Sequence, residues 1–123
     1  MANSLNKVIL IGRLGKDSEV KTLPGGKTVA RFSIATEESW KQDGEKKTAT
    51  EWHNIIAWER LGEICGQYLT KGKQVFIEGS LKTRGWEDKE GNKRSTTEIR
   101  ADKMIMLGSP ATAKTDSGDA EFV

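Results

Sequence analysis

Alternation of apolar and polar side chains at every second position is the feature that most limits what this chain can fold into. Successive side chains of a β-strand point to opposite faces, so this period predicts strands with one buried face. The clearest example is 28–36, where Ala30, Phe32 and Ile34 share one face. The same reasoning predicts five strands in all, over residues 5–14, 28–36, 50–58, 74–86 and 94–107.

One stretch, residues 59–71, has the helical period instead. Its apolar residues follow the i, i+3, i+4, i+7, i+8 spacing of an amphipathic helix: Leu61, Ile64, Cys65, Tyr68 and Leu69. Gly62 and Gly66 would weaken an isolated helix by about 1 kcal/mol each, so we expect this helix to depend on docking against the sheet. Gly72 is expected to cap its C-terminus.

This order of elements predicts the fold class. Five strands with a single helix between the third and the fourth favour an all-β protein, a small five-stranded Greek-key barrel of the OB-fold type. A chain of 123 residues is long enough for one such domain. We place the domain at residues 1–108 and predict that 109–123, which are small, polar and acidic, form a short disordered tail.

Charge and residue types exclude several function classes. The body, residues 1–107, carries 19 basic and 15 acidic residues, which favours a polyanionic partner only weakly. One histidine and one cysteine, Cys65, supply no metal-ligand set and no internal disulfide, so we expect no cofactor and a reducing, cytoplasmic location. No apolar run is long enough to cross a membrane. No cluster of catalytic groups is visible, and the turn LPGGK lacks the spacing of a phosphate-binding loop, so an enzyme is not expected.

The four tryptophans are the most informative residues. On a strand over 50–58, Trp52 and Trp58 share a face, while Ile55 and Ala57 on the other face can supply the core. Trp86 shares its face with basic residues, which are poor core neighbours. The alternative is that all four rings are core residues. We interpret them as an exposed platform on which the bases of a single nucleic-acid strand stack without strong sequence preference, with lysines and arginines neutralising the phosphates.

Several segments of the chain resemble those of the bacterial single-stranded DNA-binding protein family across nearly all of residues 1–108. The matching segments are LNKVILIGRLGKDSEV (5–20), VARFSIATEESW (29–40), TEWHNIIAW (50–58), YLTKGKQVFIEGSLKTRGW (68–86) and MIMLG (104–108). The resemblance implies an OB-fold that binds single-stranded DNA during replication, recombination and repair, in the cytoplasm with the nucleoid. An OB-fold module for RNA or for a protein partner is the alternative, because no residue distinguishes these ligands.

The resemblance also implies site residues. Three positions match tryptophans that stack on bases in the family, and a fourth falls where the family carries an aromatic residue, often Phe: Trp40, Trp52 and Trp86, and Trp58, respectively. Basic residues in segments that the family uses along the phosphate path are Lys7, Arg13, Lys41, Lys71, Lys73, Lys82 and Arg84.

The family is usually homotetrameric, and the resemblance implies a subunit interface at Val8, Leu10 and His53. The family's tail docks onto replication and repair proteins, which implies the same role for Asp119, Glu121 and Phe122. The family's tail typically ends in acidic residues followed by Ile-Pro-Phe. This chain departs from that pattern, because its ending DSGDAEFV contains no proline and closes in Val123 instead of Phe. A plain solubilising tail is the alternative.

Overall fold

Six strands and one helix follow one another along residues 3–108, the part of the chain that this computed structural model describes. The elements are β1 (Val8–Leu14), β2 (Glu19–Thr22), β3 (Thr28–Gln42), β4 (Glu45–Trp58), α1 (Glu59–Tyr68), β5 (Gln74–Glu87) and β6 (Lys93–Leu107). Five of the strands are those predicted from the alternating pattern, and β2 is a short addition.

The predicted barrel is confirmed by the pairing of the strands. The order β1-β5-β6-β4-β3 closes on itself because β1 also pairs with β3, and β2 lies beside β3 outside this closure. The pair β4–β6 is parallel and the other pairs are antiparallel. A closed five-stranded barrel with one helix before β5 is the OB-fold arrangement. The predicted tail, 109–123, lies outside the described residues.

The barrel interior is filled by the side chains that alternate inward. Fully or nearly fully buried residues of the strands include Ala30, Phe32, Ile34, Ile55, Ala57, Val75, Ile77 and Ile99. Cys65 of helix α1 and Leu69, the residue that follows the helix, complete the core. Two glycines allow the helix to approach the sheet closely: a Cβ on Gly62 would lie 2.6 Å from the Ala57 carbonyl oxygen, and one on Gly66 would lie 2.0 Å from Val20 Cγ2. These glycines therefore assist docking, although they weaken the isolated helix.

Helix α1 is shorter than predicted. It ends at Tyr68, and the backbone N–H of Leu69 donates to the Cys65 carbonyl at 3.0 Å. Tyr68, predicted in the apolar stripe, is exposed. Gly72 does not cap the helix; its N–H donates to the Leu14 carbonyl at 2.9 Å in the turn that leads to β5. The chain leaves the helix early because β5 must start beside β1.

The polar stretch KQDGEKKTA (41–49) predicts a loop between the second and third strands, and this prediction is wrong for most of its length. Strands β3 and β4 continue as a hairpin that narrows to a turn at Asp43 and Gly44, both with positive φ (52° and 79°). Two successive positive φ values are the geometry of a type I′ turn, for which Asp-Gly is a favoured sequence. We call the exposed part of this hairpin, residues 37–50, the arm. Both of its faces are exposed, so its side chains can be polar, and no apolar alternation indicates a strand there.

A β-bulge explains a second error. The pattern places Ile99, Ala101, Ile105 and Leu107 in phase on one face of the last strand. The ladder passes from Glu78–Lys103 to Gly79–Ala101, so β6 carries one extra residue and its phase changes there. Ile99 and Ala101 are buried, whereas Ile105 is exposed. Alternation over 74–86 likewise predicts Val75, Ile77 and Leu81 on the apolar face, but Leu81 is exposed in the β5–β6 hairpin.

The glycine at this bulge offers a test of the fold. A Cβ on Gly79 would lie 1.9 Å from the carbonyl oxygen of Arg100, a backbone atom that cannot move aside cheaply, whereas the nearest atom to a Cβ on Gly85 in the same strand is 3.8 Å away. We therefore expect Gly79→Ala to lower the free energy of unfolding by about 1–3 kcal/mol, as overpacking does. Gly85→Ala should leave the urea midpoint nearly unchanged. Equal midpoints for the two variants would contradict the close packing at the bulge.

Within residues 3–108, no helix has the length and apolar character needed to span a membrane.

Candidate nucleic-acid interface

The β3–β4 ladder places two tryptophans on the outward face of the barrel. Its register runs without interruption and pairs Ala35 with Trp52 and Val29 with Trp58. Paired residues lie on the same face of an antiparallel sheet. Ile55 is buried in the core. Trp52 and Trp58 are each three residues from Ile55 along β4, an odd number, so they point to the opposite face, away from the core. The predicted sharing of one face by these two rings is confirmed.

The same outward face continues across β6 to β5. Arg100 pairs with Ile56 of β4 on one side and with Ser80 of β5 on the other, so every second residue of β5 and β6 around this point belongs to it. We call this continuous surface of β3, β4, β6 and β5 the tryptophan face. Its members are Arg31, Ser33, Trp52, Asn54, Ile56, Trp58, Ser80, Lys82, Arg84, Trp86, Arg94, Thr96, Glu98 and Arg100.

Two of the rings on this face are well exposed and held in place. Trp52 is 54% exposed and Trp86 is 44% exposed. Trp52 lies against Gly15, where an added Cβ would be 2.7 Å from Cζ3 and Cη2 of the ring. Trp86 Nε1 donates a hydrogen bond to Thr96 Oγ1 at 2.8 Å. A ring that is exposed and yet fixed can accept a flat ligand with little loss of conformational entropy.

Trp58 is half-buried, at the junction of β4 and α1. It lines a recess with Lys27, Glu59 and Arg100. Glu59 has a φ of 58°, a left-handed conformation that is strained for a residue with a side chain. The sharp change of direction at Glu59 lets the helix begin immediately after the Trp58 strand, and part of the ring remains accessible.

Trp40 has a different position. It pairs with Lys47 in the arm, an odd number of residues from the Ala35–Trp52 pair, so it points to the other face of the hairpin. It is 44% exposed, and its Nε1 donates to Gln42 Oε1 at 3.4 Å. The structure therefore does not bring Trp40 onto the tryptophan face, and its role in stacking stays a prediction.

An arginine–glutamate cluster lies at the centre of the tryptophan face. Glu98 is 8% exposed and forms ion pairs with Arg31 from β3 and with Arg84 from β5, the second at 3.5 Å. Beside it, Ser33 Oγ donates to Asn54 Oδ1 at 3.1 Å. Sequence reasoning missed Glu98 and gave Arg31 no role, although both are polar positions in strands with the two-residue period.

A cleft of about 210 Å³ opens next to this cluster. Its lining includes Lys16 and Asp17 from the loop between β1 and β2, and Arg31, Asn54 and Glu98 from the sheet. The loop after β1 and the face formed by the second and third barrel strands are the usual ligand-binding region of OB-folds. The tryptophan face therefore occupies the surface that this fold commonly uses.

The predicted phosphate-contacting residues divide into groups. Lys82 and Arg84 lie on the tryptophan face, and Lys41 has the matching ladder position farther along the arm. A second group consists of Arg13, Lys71 and Lys73. Lys71 and Lys73 flank Gly72, and Arg13 Nη1 donates a hydrogen bond to the Gly72 carbonyl at 3.0 Å, so all three lie around one turn. That turn bonds to Leu14, next to the glycine under Trp52, so it borders the face.

Lys7 is separate from this surface. It forms an ion pair with Glu78 at 3.2 Å near the start of β1, on a part of the barrel that carries apolar residues. Exposed or half-exposed side chains make up an apolar patch there: Ile9, Ile11, Phe76 and Ile105.

The residues predicted at a subunit interface are all partly buried in this single chain. Val8 and Leu10 pack against the core, so the side chains that this strand exposes are Ile9 and Ile11 instead. His53 Nε2 lies 2.9 Å from Thr36 Oγ1. Their place in an interface stays a prediction.

Residues 3–108 contain no group of three His, Cys, Asp or Glu side chains that could hold a metal ion. The thiol of Cys65 is buried, and burial raises its pKa to about 11. The reactive thiolate is therefore scarce near neutral pH. Within the described residues, Cys65 packs in the hydrophobic core and has a structural role.

Comparison with known proteins agrees with this geometry. A solved structure described as the Plasmodium falciparum SSB complex with ssDNA has 37% sequence identity to this chain and a TM-score of 0.80, and the match covers 88% of this chain and 99% of that one. The model of the single-strand binding protein family, whose members are non-enzymatic DNA-binding proteins, matches residues 5–107. The chain belongs to the single-strand binding protein family.

Proposed function

We propose that this protein binds single-stranded DNA along the tryptophan face, with little dependence on base sequence. The observation that carries the proposal is the continuity of that face. Trp52 and Trp58 lie on β4, Trp86 lies on β5, and arginine side chains lie on the same face between them. Flat bases stack on indole rings, and guanidinium and ammonium groups neutralise the phosphates that join the bases. Membership of the family and the likeness to an SSB–ssDNA complex support this ligand.

The chemistry of the face accounts for weak sequence preference. Every base has a π-face that can stack on a ring, whereas reading a base requires fixed donors and acceptors at its edges. The polar groups at the centre of the face bond to one another: Ser33 to Asn54, and Glu98 to two arginines. Duplex DNA should compete poorly, since its bases are already stacked and hidden.

The wider role follows from the ligand. We infer that the protein protects and organises single strands during DNA replication, recombination and repair, in the cytoplasm with the nucleoid. Recruitment of other proteins through Asp119, Glu121 and Phe122 belongs to the same proposal. An RNA strand is the competing ligand, because no residue of the face identifies the 2′-hydroxyl; a direct competition between oligo(dT) and oligo(U) decides between them.

We also propose that the apolar patch is a contact between copies of this chain in a homotetramer. Ile9 and Ile11 on β1 and Ile105 on β6 are exposed, and Phe76 on the intervening strand β5 pairs with both Ile11 and Ile105. Burying such a patch against a second copy removes apolar surface from water, and exposed apolar patches commonly mark sites of interaction with another protein.

Stacking predicts a difference between two tryptophans of the same hairpin. Oligo(dT) should quench the intrinsic fluorescence of the protein, and Trp52→Ala should weaken binding by about 1–3 kcal/mol, the range known for stacked bases on OB-folds that include this family. Trp40→Ala removes a similarly exposed ring from the opposite face of the arm, so it should have the smaller effect. Fluorescence titrations of both variants, with circular dichroism to check the fold, measure this.

The outcomes separate the alternatives. An absence of quenching at low salt would mean that the rings do not meet the bases. Loss of the folded state in Trp52→Ala would place that ring in the core. A larger loss of affinity for Trp40→Ala than for Trp52→Ala would move the DNA path to the other face of the arm.

Salt dependence tests the phosphate contacts. For single strands, the slope of log K against log salt concentration is about −0.7 for each neutralised phosphate. Lys82→Gln should make the slope shallower by about that amount, because Lys82 lies on the tryptophan face. Lys7→Gln is the matched control and should leave the slope unchanged, because Lys7 pairs with Glu78 beside the apolar patch. A shallower slope for Lys7→Gln would extend the DNA path over that side.

Assembly is tested by native mass spectrometry. The wild-type protein should have the mass of four chains, and Ile11→Lys should shift it to smaller species, because a charge in the apolar patch opposes burial. Tyr68→Lys changes a comparably exposed residue at the end of α1 and should not alter the mass. A monomeric wild type, or a tetramer that tolerates Ile11→Lys, would contradict the proposed contact.

A further inference from the structure

The position of Glu98 is unexpected for a surface that binds DNA, because its carboxylate and the phosphates carry charge of the same sign. A carboxylate lies at the centre of the face that we propose for a polyanion, and it is 8% exposed. A lone negative charge there would repel phosphates and would also be costly to bury. The charge must therefore serve the groups around it.

The two partners of Glu98 come from strands on either side of it. Arg84 lies on β5, which is next to β6. Arg31 lies on β3, two strands away, and it pairs with Ile56 on the intervening strand β4. The ion pair with Glu98 therefore spans the outward face of β4, where Ile56 is buried. The carboxylate thus joins a side chain from β3 to one from β5.

Both arginines keep free donors. Their side chains are 43% and 54% exposed for Arg31 and Arg84, respectively, whereas that of Glu98 is 10% exposed. A guanidinium has five N–H donors in a planar fork, so one edge can bind the carboxylate while another remains available to solvent or to a phosphate. The cluster retains one net positive charge, and it lies between the rings on β4 and the ring on β5.

We propose that Glu98 is a positioning residue for single-stranded DNA: it fixes the guanidinium groups of Arg31 and Arg84 as a preorganised pair that receives phosphates between the β4 and β5 tryptophans. This rests on the proposed function. Long arginine side chains lose considerable rotamer freedom when they bind a ligand, and a fixed pair has already lost it on folding. The acidic residue therefore favours binding of an anion, although its own charge opposes it.

The sign of one substitution decides between positioning and simple charge. Glu98→Gln keeps the size of the side chain but removes the negative charge, so a purely electrostatic role predicts tighter binding and a steeper salt slope. Positioning predicts the reverse: affinity for oligo(dT) about tenfold weaker, as when a charge-assisted contact is lost, and a shallower slope despite the additional net positive charge. Both quantities come from fluorescence titrations over a series of salt concentrations.

Three controls make the test specific. Glu87→Gln removes a charge from the exposed end of the same hairpin, and its affinity should equal or slightly exceed that of the wild type. Arg31→Gln should cost little further affinity in the Glu98→Gln background, because its guanidinium is already unpositioned there. Arg31→Lys keeps the charge but cannot bridge carboxylate and phosphate with a planar fork, and it should also weaken binding; this variant keeps the proposal testable if Glu98→Gln fails to fold.

The outcomes are distinguishable from failure of the proposed function. A wild-type protein that does not bind oligo(dT) overturns the function itself. A wild type that binds, together with a folded Glu98→Gln variant that binds equally well or more tightly, overturns only the positioning role. Unchanged affinity in Arg31→Lys overturns it as well.

Discussion

The uninterrupted hydrogen-bonded ladder between β3 and β4 determines which side chains of this hairpin face the core and which face outward. It fixes fourteen residue pairs in one register, from Val29–Trp58 to Gln42–Glu45. A slip of one residue would exchange the two faces, burying the outward rings and exposing the core. Because Phe32 and Ile55 must both be buried, the hydrophobic effect selects the register, and the register then decides where Trp52 and Trp58 point.

Closure of the barrel converts this local constraint into a binding surface. The parallel pairing of β4 with β6 carries the outward face onward to β5, so rings that are distant in the sequence lie on one continuous surface. Polar side chains on the same face are satisfied by one another, as Glu98 is by Arg31 and Arg84. Buried polar groups of this kind must be satisfied, and here the groups that satisfy them are also the cations of the tryptophan face. Stability and recognition therefore depend on the same contacts.

Much of the fold could be read from the sequence where a core dictates the pattern. The alternation at 28–36 and 74–77 faces a buried interior, so its period is visible and its strands were predicted. The arm from Glu37 to Thr50 faces solvent on both sides; no pattern is required there, and only the Asp43–Gly44 turn signals the hairpin. The bulge near Asp102 could not be found, because one extra residue is placed by its partner strand and not by its own sequence.

The candidate site divides in the same way. Period-two geometry acts within a single strand, so the sequence was sufficient to put Trp52 and Trp58 on one face and to group Trp86 with Lys82 and Arg84. The folded barrel was needed to show that these two groups belong to one surface, that Trp40 does not, and that Glu98 joins Arg31 to Arg84. These relations depend on strand order and register, which are set by contacts between residues far apart in the chain.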